Sequence, residues 1–346
     1  MATNTSAFSP KEWRIGIAEE VTVGTAPSSF LGIEFDSMSY PTINDLRILE
    51  KRSGSTGRVL NEDDLFYHEA GSVHEFSVSG ILTTALVGVL FENAVGVEQA
   101  ANGSASYDVV VGTGHAPVSF LHGATSSGGH NTVAFQINGT SSPNSSYTLK
   151  GCIVTALTIS ANSDEEGGRF KFELTAQTRS PFTSSAGSQG TISAYTENFL
   201  YLSDFTEDKT VYAQSVILDT FGLTVENPVK FLGNKASGGN AGLPEGYQRA
   251  IPEFKALANC SVKFDANTND FINSWRSQSV ATPKGLYLAN NATWASATTF
   301  GIKMDNVIFS EQPSYDEGDY MKLSCVLQSV DDESDSDILS VIVGDQ

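Results

Sequence analysis

Residues 151–178 read GCIVTALTISANSDEEGGRFKFELTAQT, and 150 residues later the chain writes a second version, GIKMDNVIFSEQPSYDEGDYMKLSCVLQ (301–328). In the first copy Phe170, Phe172, Leu174 and Ala176 alternate with Arg169, Lys171, Glu173 and Thr175, which gives a strand one apolar and one polar face. Met321, Leu323, Cys325 and Leu327 are the expected apolar face of the second copy. They fall one residue later than a strict offset of 150, so the second turn is expected to hold an extra residue. Both turns, DEEGG and YDEGD, combine carboxylates with glycine as solvated hairpin turns do.

Upstream of each hairpin the correspondence continues. HEFSVSGILTTALVGVLFENAVG (74–96) is answered by NCSVKFDANTNDFINSWRSQ (259–278), each read as a strand running into a short helix. Phe76 and Val78 alternate before Leu82, Leu86, Val89 and Leu90 take up helical spacing; Val262 and Phe264 precede Phe271, Ile272 and Trp275. Asn267, Thr268 or Asn269 is expected to cap the second helix. Further upstream, SFLGIEFDSMSY (29–40) takes the role of DTFGLTVENPVKFLG (219–233). Long polar segments follow, RSGSTGRVLNEDD (52–64) and NKASGGNAGLPEGYQ (234–248). The first unit is longer by the stretch from about 97 to 132, read as a surface insertion with one short strand at SYDVVVG. The length suits two domains of ordinary size or one large one, each with enough core to be stable alone. The fold expected is mainly β: two tandem sandwich or partial-barrel domains, 1–210 and 211–346, each with one flanking helix.

Twenty Lys+Arg against 40 Asp+Glu in 346 residues leave a net charge of −20, which argues against a grip on nucleic acid. Cys152, Cys260 and Cys325 lie in apolar runs without CxxC spacing and read as buried free thiols of a reducing compartment. The N-terminal residues show no apolar signal region, and the run ILTTALVGVLF is too short to cross a bilayer, so a soluble, unexported chain is expected. The five histidines, His68, His74, His115, His122 and His130, form no HExxH or Cys–His pattern, and no GxSxG occurs. VGTGHAPV lacks the third glycine and the helix of a pyrophosphate site, and reads as a turn. DDESDSD (331–337) lacks the glycine and terminal glutamate of an EF-hand and reads as a connector. Trp13, Trp275 and Trp294 read as core or subunit contacts. No enzyme, cofactor or metal site is therefore expected.

Three stretches carry a resemblance: SYTLKGCIVTALTISAN leading through the acidic turn into RFKFELTAQ; VENPVKFLGN followed by a glycine-rich loop; and the passage from FINSWRSQ to KGLYLAN. In their order and spacing they resemble the tail tube (major tail) proteins of phages with long, non-contractile tails, over residues 15–346. The resemblance implies a duplicated tail-tube domain whose sheets join those of neighbouring copies into a hollow tube. Single-domain members build six-membered rings, so this chain is expected to close a pseudo-sixfold ring with three copies; hexameric rings with half of each chain outside the tube are the alternative. The implied setting is a virion tail assembled from protein made in the bacterial host's cytoplasm. Tail terminator, distal tail and tape-measure proteins are the implied partners, with DNA passing through unbound and no membrane contact.

The Gly-rich polar segments suit docking on an adjacent ring. The residues expected to carry it are Arg52, Ser53, Gly54 and Arg58 in the first, and Lys235, Gly238, Gly239, Asn240, Gly242 and Leu243 in the second. A net negative lumen is expected, with Glu173 among its residues, because a basic wall would hold DNA. Two other readings stand beside this one: a receptor-binding or adhesive β-sandwich module of a tail tip, and a capsid decoration protein.

Overall fold

The computed structural model describes residues 13–39, 46–49, 65–68, 73–94, 97–101, 104–110, 119–121, 132–139, 146–179, 183–185, 190–194, 198–206, 208–233, 246–249, 254–278, 284–290, 300–330 and 337–344. The chain is mainly β. Its first half opens with β1 (Trp13–Glu19), β2 (Ser29–Ile33), β3 (Phe35–Met38), β4 (Leu46–Leu49), β5 (Leu65–His68) and β6 (His74–Ile81). Helix α1 (Thr84–Ala94) follows, then β7 (Val97–Ala101), β8 (Ser104–Val110), β9 (Ser119–Leu121) and β10 (Val133–Gly139). The half closes with β11 (Ser146–Asn162), β12 (Lys171–Thr178), β13 (Thr183–Ser185) and β14 (Thr191–Ile192). After a 3-10 turn at Leu202–Asp204 come β15 (Asp208–Val211), β16 (Gln214–Ser215), β17 (Leu218–Glu226), β18 (Val229–Leu232), β19 (Gly246–Arg249) and β20 (Lys255–Lys263). Helix α2 (Phe271–Ser277) precedes β21 (Leu286–Ala289), β22 (Phe300–Met304), β23 (Val307–Phe309), β24 (Ser314–Glu317), β25 (Met321–Ser329) and β26 (Asp337–Gly344).

The same pairing order occurs twice. In the first half, β2–β1–β10 leads into the start of β11, while β3–β6–β12 leads into its second part; β4 pairs with β5, and β13 lies along the start of β11. In the second half, β16–β15–β21–β22 and β17–β20–β25 repeat that order; β18 pairs with β19, and β26 lies along β22 as β13 does along β11. The boundary expected at 210 falls inside β15, the counterpart of β1.

β11 can serve both sheets because it bends. Gly151 sits at φ 58°, a left-handed conformation that glycine adopts without steric cost, and the register slips between Val154 and Ala156. A buried carboxylate holds the bend: Glu20 Oε1 accepts the Gly151 N–H at 2.9 Å, and Oε2 accepts the Gly24 N–H at 2.8 Å and the Thr132 hydroxyl at 2.6 Å. Burial pushes the Glu20 pKa up, although hydrogen bonds from Thr132, Gly151 and Gly24 pull it down.

In the second half this long strand is broken into β22, β23 and β24, with 310–313 as an enlarged version of the bulge. The register corrects the sequence alignment there. Ile153 lies opposite Gln177 and Ile308 opposite Gln328, and β24 joins β25 through only 318–320 whereas β11 and β12 are separated by 163–170. The second turn is therefore shorter, and the added length sits in the bulge. Val78 faces Leu174 as Cys260 faces Cys325, so Cys260, not Phe264, is the counterpart of Val78. Period-2 alternation tolerates a slip of four residues without moving any side chain to the other face, so the pattern alone could not fix the register.

Three further expectations change. The insertion is no mere surface loop with one strand: β7 and β8 form a hairpin, β8 pairs with the C-terminal β26, and β9 pairs with β19. The insertion thus extends a sheet of the second half. Helix α2 starts after Asp270, and no side chain caps it; Thr268 instead closes the preceding turn, its hydroxyl donating to the Lys263 carbonyl and accepting the Asp265 N–H. Met321 is 40% exposed, although Leu323, Cys325 and Leu327 are buried as expected.

One apolar core runs through both halves. Phe170 marks the junction, with its ring 5.6 Å from Phe300, 5.9 Å from Phe205 and 6.4 Å from Phe221. Helix α1 buries Leu86, Val87, Leu90 and Phe91 against β1 and β11 of its own half and β26 of the other. Trp13 and Trp275 are partly buried against this core, as anticipated; Trp294 lies outside the described residues.

Candidate functional site

The two halves meet edge to edge. β11 pairs with β17 from Ala156↔Glu226 to Asn162↔Thr220, so β3–β6–β12–β11 and β17–β20–β25 become one antiparallel sheet. β23 and β24 close its far edge by sharing β25, giving eight strand positions. One face carries Phe76, Val78, Phe172, Leu174, Leu157, Ile159, Phe221, Leu223, Ala258, Cys260, Leu323 and Cys325, all buried. The opposite face is read directly from the register. A row crosses it as Ser37, Ser79, Glu173, Thr158, Thr224, Leu257, Gln328 and Ile308, each opposite the next. The next row holds Lys171, Ser160, Gly222, Asn259 and Val326. Beyond it lie Asn162, Thr220, Ser261, Ser324 and Ser314.

Hydroxyls bridge the strands: Ser37 to Ser79 at 2.8 Å, Ser77 to Thr175 at 3.2 Å, and Thr158 to Thr224 at 3.2 Å. Short hydroxyl side chains bonded to one another lose little rotamer freedom and leave few donors free for a passing ligand. Gly222 leaves a shallow depression flanked by Thr158, Ser160, Thr224 and Asn259.

Charges of both signs lie on this face. Its paired strand residues include four carboxylates, Glu75, Glu173, Glu226 and Asp316, and four lysines, Lys171, Lys255, Lys263 and Lys322. Three of the lysines are held by carboxylates: Lys171 by Glu166 at 2.9 Å, Lys255 by Glu226 at 3.9 Å, and Lys322 by Asp219. Glu173 is exposed between Ser79 and Thr158. Glu166 and Asp219, which hold two of these lysines, bring the carboxylates to six against four lysines, and further acidic side chains gather at the sheet's end, in the 163–168 turn.

That end is built for charge. Glu166, Gly167 and Gly168 all have positive φ, and their curl brings the Glu166 carboxylate onto Lys171 and Arg169. Hydrogen bonds from Lys171 and then Arg169 lower the Glu166 pKa, and Glu166 raises that of Lys171. Asp219 is 7% exposed and occupies a bulge between Leu218 and Thr220. It accepts Ser163 Oγ at 2.9 Å, Tyr320 Oη at 3.1 Å and Lys322 Nζ. Burial opposes its charge, but hydrogen bonds from Lys322, Ser163 and Tyr320 outweigh that and hold its pKa below the usual value.

Sequence reasoning missed Asp219, and its counterpart makes the omission instructive. Phe35 and Ser37 flank a register slip against β6 as Leu218 and Thr220 do against β20, so Phe-Asp-Ser-Met (35–38) and Leu-Asp-Thr-Phe (218–221) are one bulge motif written twice. A lone Asp after an apolar residue and before Ser or Thr was its only signal.

The residues expected to dock on an adjacent ring, Arg52, Ser53, Gly54, Arg58, Lys235, Gly238, Gly239, Asn240, Gly242 and Leu243, lie outside the described residues. The flanking strands place the two segments equivalently, between β4 and β5 and between β18 and β19; Gly246–Arg249 is strand rather than loop. His74 is buried at the start of β6, and His68 ends β5; His115, His122, His130, the VGTGHAPV turn and DDESDSD through 336 lie outside the described residues. Cys152, Cys260 and Cys325 are buried and free. Among the described residues no three of His, Cys, Asp and Glu gather as metal ligands, and no helix is long and apolar enough to cross a membrane. No protein-family model matches the chain, and no curated protein matches it in sequence.

Proposed function

We propose that this chain is the tube-forming subunit of a phage tail, with its continuous sheet as the tube wall and the hydroxyl-rich face turned to the lumen. The observation that supports this reading is the edge-to-edge fusion of two equivalently paired half-sheets through β11 and β17, which leaves β3 and β23/β24 as outer edges among the described residues. A sheet extended by repetition of one contact is the building block of a ring. Three copies with eight strand positions each close a wall of 24 strands with pseudo-sixfold symmetry. Rings then stack head to tail into a filament, with the segments beyond β4 and β18 as inter-ring contacts.

On this reading the wall avoids holding DNA because most of its lysines are already engaged and carboxylates outnumber them. Binding to phosphate grows with each lysine free to displace counterions. Here Lys171, Lys255 and Lys322 are already occupied by carboxylates, and most of the remaining face is Ser, Thr, Asn and Gly. The chain is made in the host cytoplasm and acts in the virion tail, where terminator, distal tail and tape-measure proteins are its neighbours. Electron microscopy of the purified, concentrated protein tests the reading. Hollow rods whose rings contain three copies are expected; a protein that forms neither rods nor rings overturns it, and six copies per ring overturns the stoichiometry.

A further inference from the structure

The pairing inside the chain predicts the pairing between chains. Register equates Ser160 with Asp316, since each lies opposite a matching lysine, Lys171 and Lys322. It equates Phe221 with Met38 through their partners Cys260 and Val78. Within one chain Ala161 lies opposite Phe221 and Ser160 opposite Gly222.

Exposure identifies what is missing at the other end. Ile159, on β11 beside β17 and part of the core, is 0% exposed, whereas its counterpart Tyr315 is 49% exposed on a strand whose four residues are all exposed. Phe170 is 0% exposed, packed on Phe221 across the seam, whereas its counterpart Met321 is 40% exposed. These apolar side chains cluster at a sheet edge whose backbone donors and acceptors have no strand partner among the described residues. β3, whose pairing is with β6 alone among the described residues, is the one edge that repeats the geometry of β17.

We infer that the β24 edge (Ser314–Glu317) pairs antiparallel with the β3 edge of a second copy of this chain, in the register of the internal β11–β17 seam. Glu317 then lies opposite Met38, and Asp316 opposite Ser39, of the neighbouring copy. Tyr315 and Met321 become buried as Ile159 and Phe170 are, with Met38 of the neighbour in the place of Phe221. The contact is heterologous, one edge against a different edge, so it continues from copy to copy until the ring closes. It rests on the tube reading for that closure, but the register comes from the internal seam.

Paired cysteines test it in the full-length chain. Directly opposed residues alternate between hydrogen-bonded and non-hydrogen-bonded pairs, both with Cα separations of about 4.5–5.5 Å, within disulfide range. Asp316→Cys with Ser39→Cys alters two exposed positions, so folding is preserved; Glu317→Cys with Met38→Cys samples the adjacent pair. The shifted control is Glu317→Cys with Asp36→Cys. Under mild oxidation at assembly concentrations, at least one in-register pair should give intermolecular disulfides on non-reducing gels, at least tenfold over the control, while the unaltered chain with its three buried cysteines gives none. Assembled protein that cross-links in neither pair, or equally in the control, overturns the inference; so does a chain that stays monomeric. Rods without in-register cross-links would leave the tube reading standing and the seam wrong. In-register cross-links in oligomers that never form rods would leave the seam standing and the tube wrong.

Discussion

Asp219→Asn is the most informative single change, because one carboxylate joins three elements. Ser163 reaches it from the β11–β12 turn of the first half, while Tyr320 and Lys322 reach it from β25 and the turn before it. The amide keeps the shape but removes the charge. It leaves the Lys322 ammonium, whose side chain is only 17% exposed, facing a neutral group. Breaking a fully buried pair costs about 3–5 kcal/mol; discounted for the partial exposure of Lys322 and for the hydrogen bonds Asn retains, about 2–3 kcal/mol is expected at pH 7. The sign with pH follows from the lowered folded pKa. The carboxylate contributes stability above its unfolded pKa, and that contribution is lost as pH falls through the folded value. Urea titrations of both chains should therefore differ most near neutrality and converge in acid, below about pH 4. A difference under about 0.5 kcal/mol at pH 7, or one that does not shrink in acid, would refute this account of the site.

Three further outcomes are expected. Phe170→Ala should cost about 3–5 kcal/mol and destabilise both halves together, since its ring meets Phe205, Phe221 and Phe300; calorimetry should still show one transition, and two separate ones would contradict the shared core. Gly80→Ala should lower the melting temperature, because its Cβ would lie 2.2 Å from the Glu34 carbonyl oxygen and only backbone movement, at about 1–3 kcal/mol, can relieve that. Ala213→Gly should stabilise by about 0.5–1 kcal/mol in the same titrations, as Ala213 holds φ 59° in the two-residue turn between β15 and β16.

What the sequence made legible was alternation. Phe170, Phe172, Leu174 and Ala176 are buried together, and so are Leu323, Cys325 and Leu327, because a strand with one face on a core must repeat every second residue. Register was not legible, since shifts by two residues preserve that pattern, and two bulges absorb the rest. The pairing of β8 with β26 was beyond reach for another reason. It joins residues more than 200 positions apart, and neither strand's composition names its partner. Glu173 was placed on the polar face by the alternation alone, but the balance of that face was hidden. The net charge of −20 counts carboxylates wherever they lie, while the face depends on which of them the register lines up with lysines.

The differences between the halves follow from one having a covalent neighbour on its open edge. Where β11 meets β17, the apolar side is closed by Ile159 and Phe170, which are never without their partners once the chain has folded. Where β24 ends the sheet, a fully apolar edge would aggregate before assembly, and the positions equivalent to Ile159 and Ala161 are instead Tyr315 and Glu317. Asp316 replaces Ser160, and the acidic turn at 316–319 adds charge beside it. If copies pair as inferred above, such an edge keeps the free chain soluble while retaining apolar surface for that contact. On that inference, duplication lets the internal seam be optimised for stability and the outer one for timing.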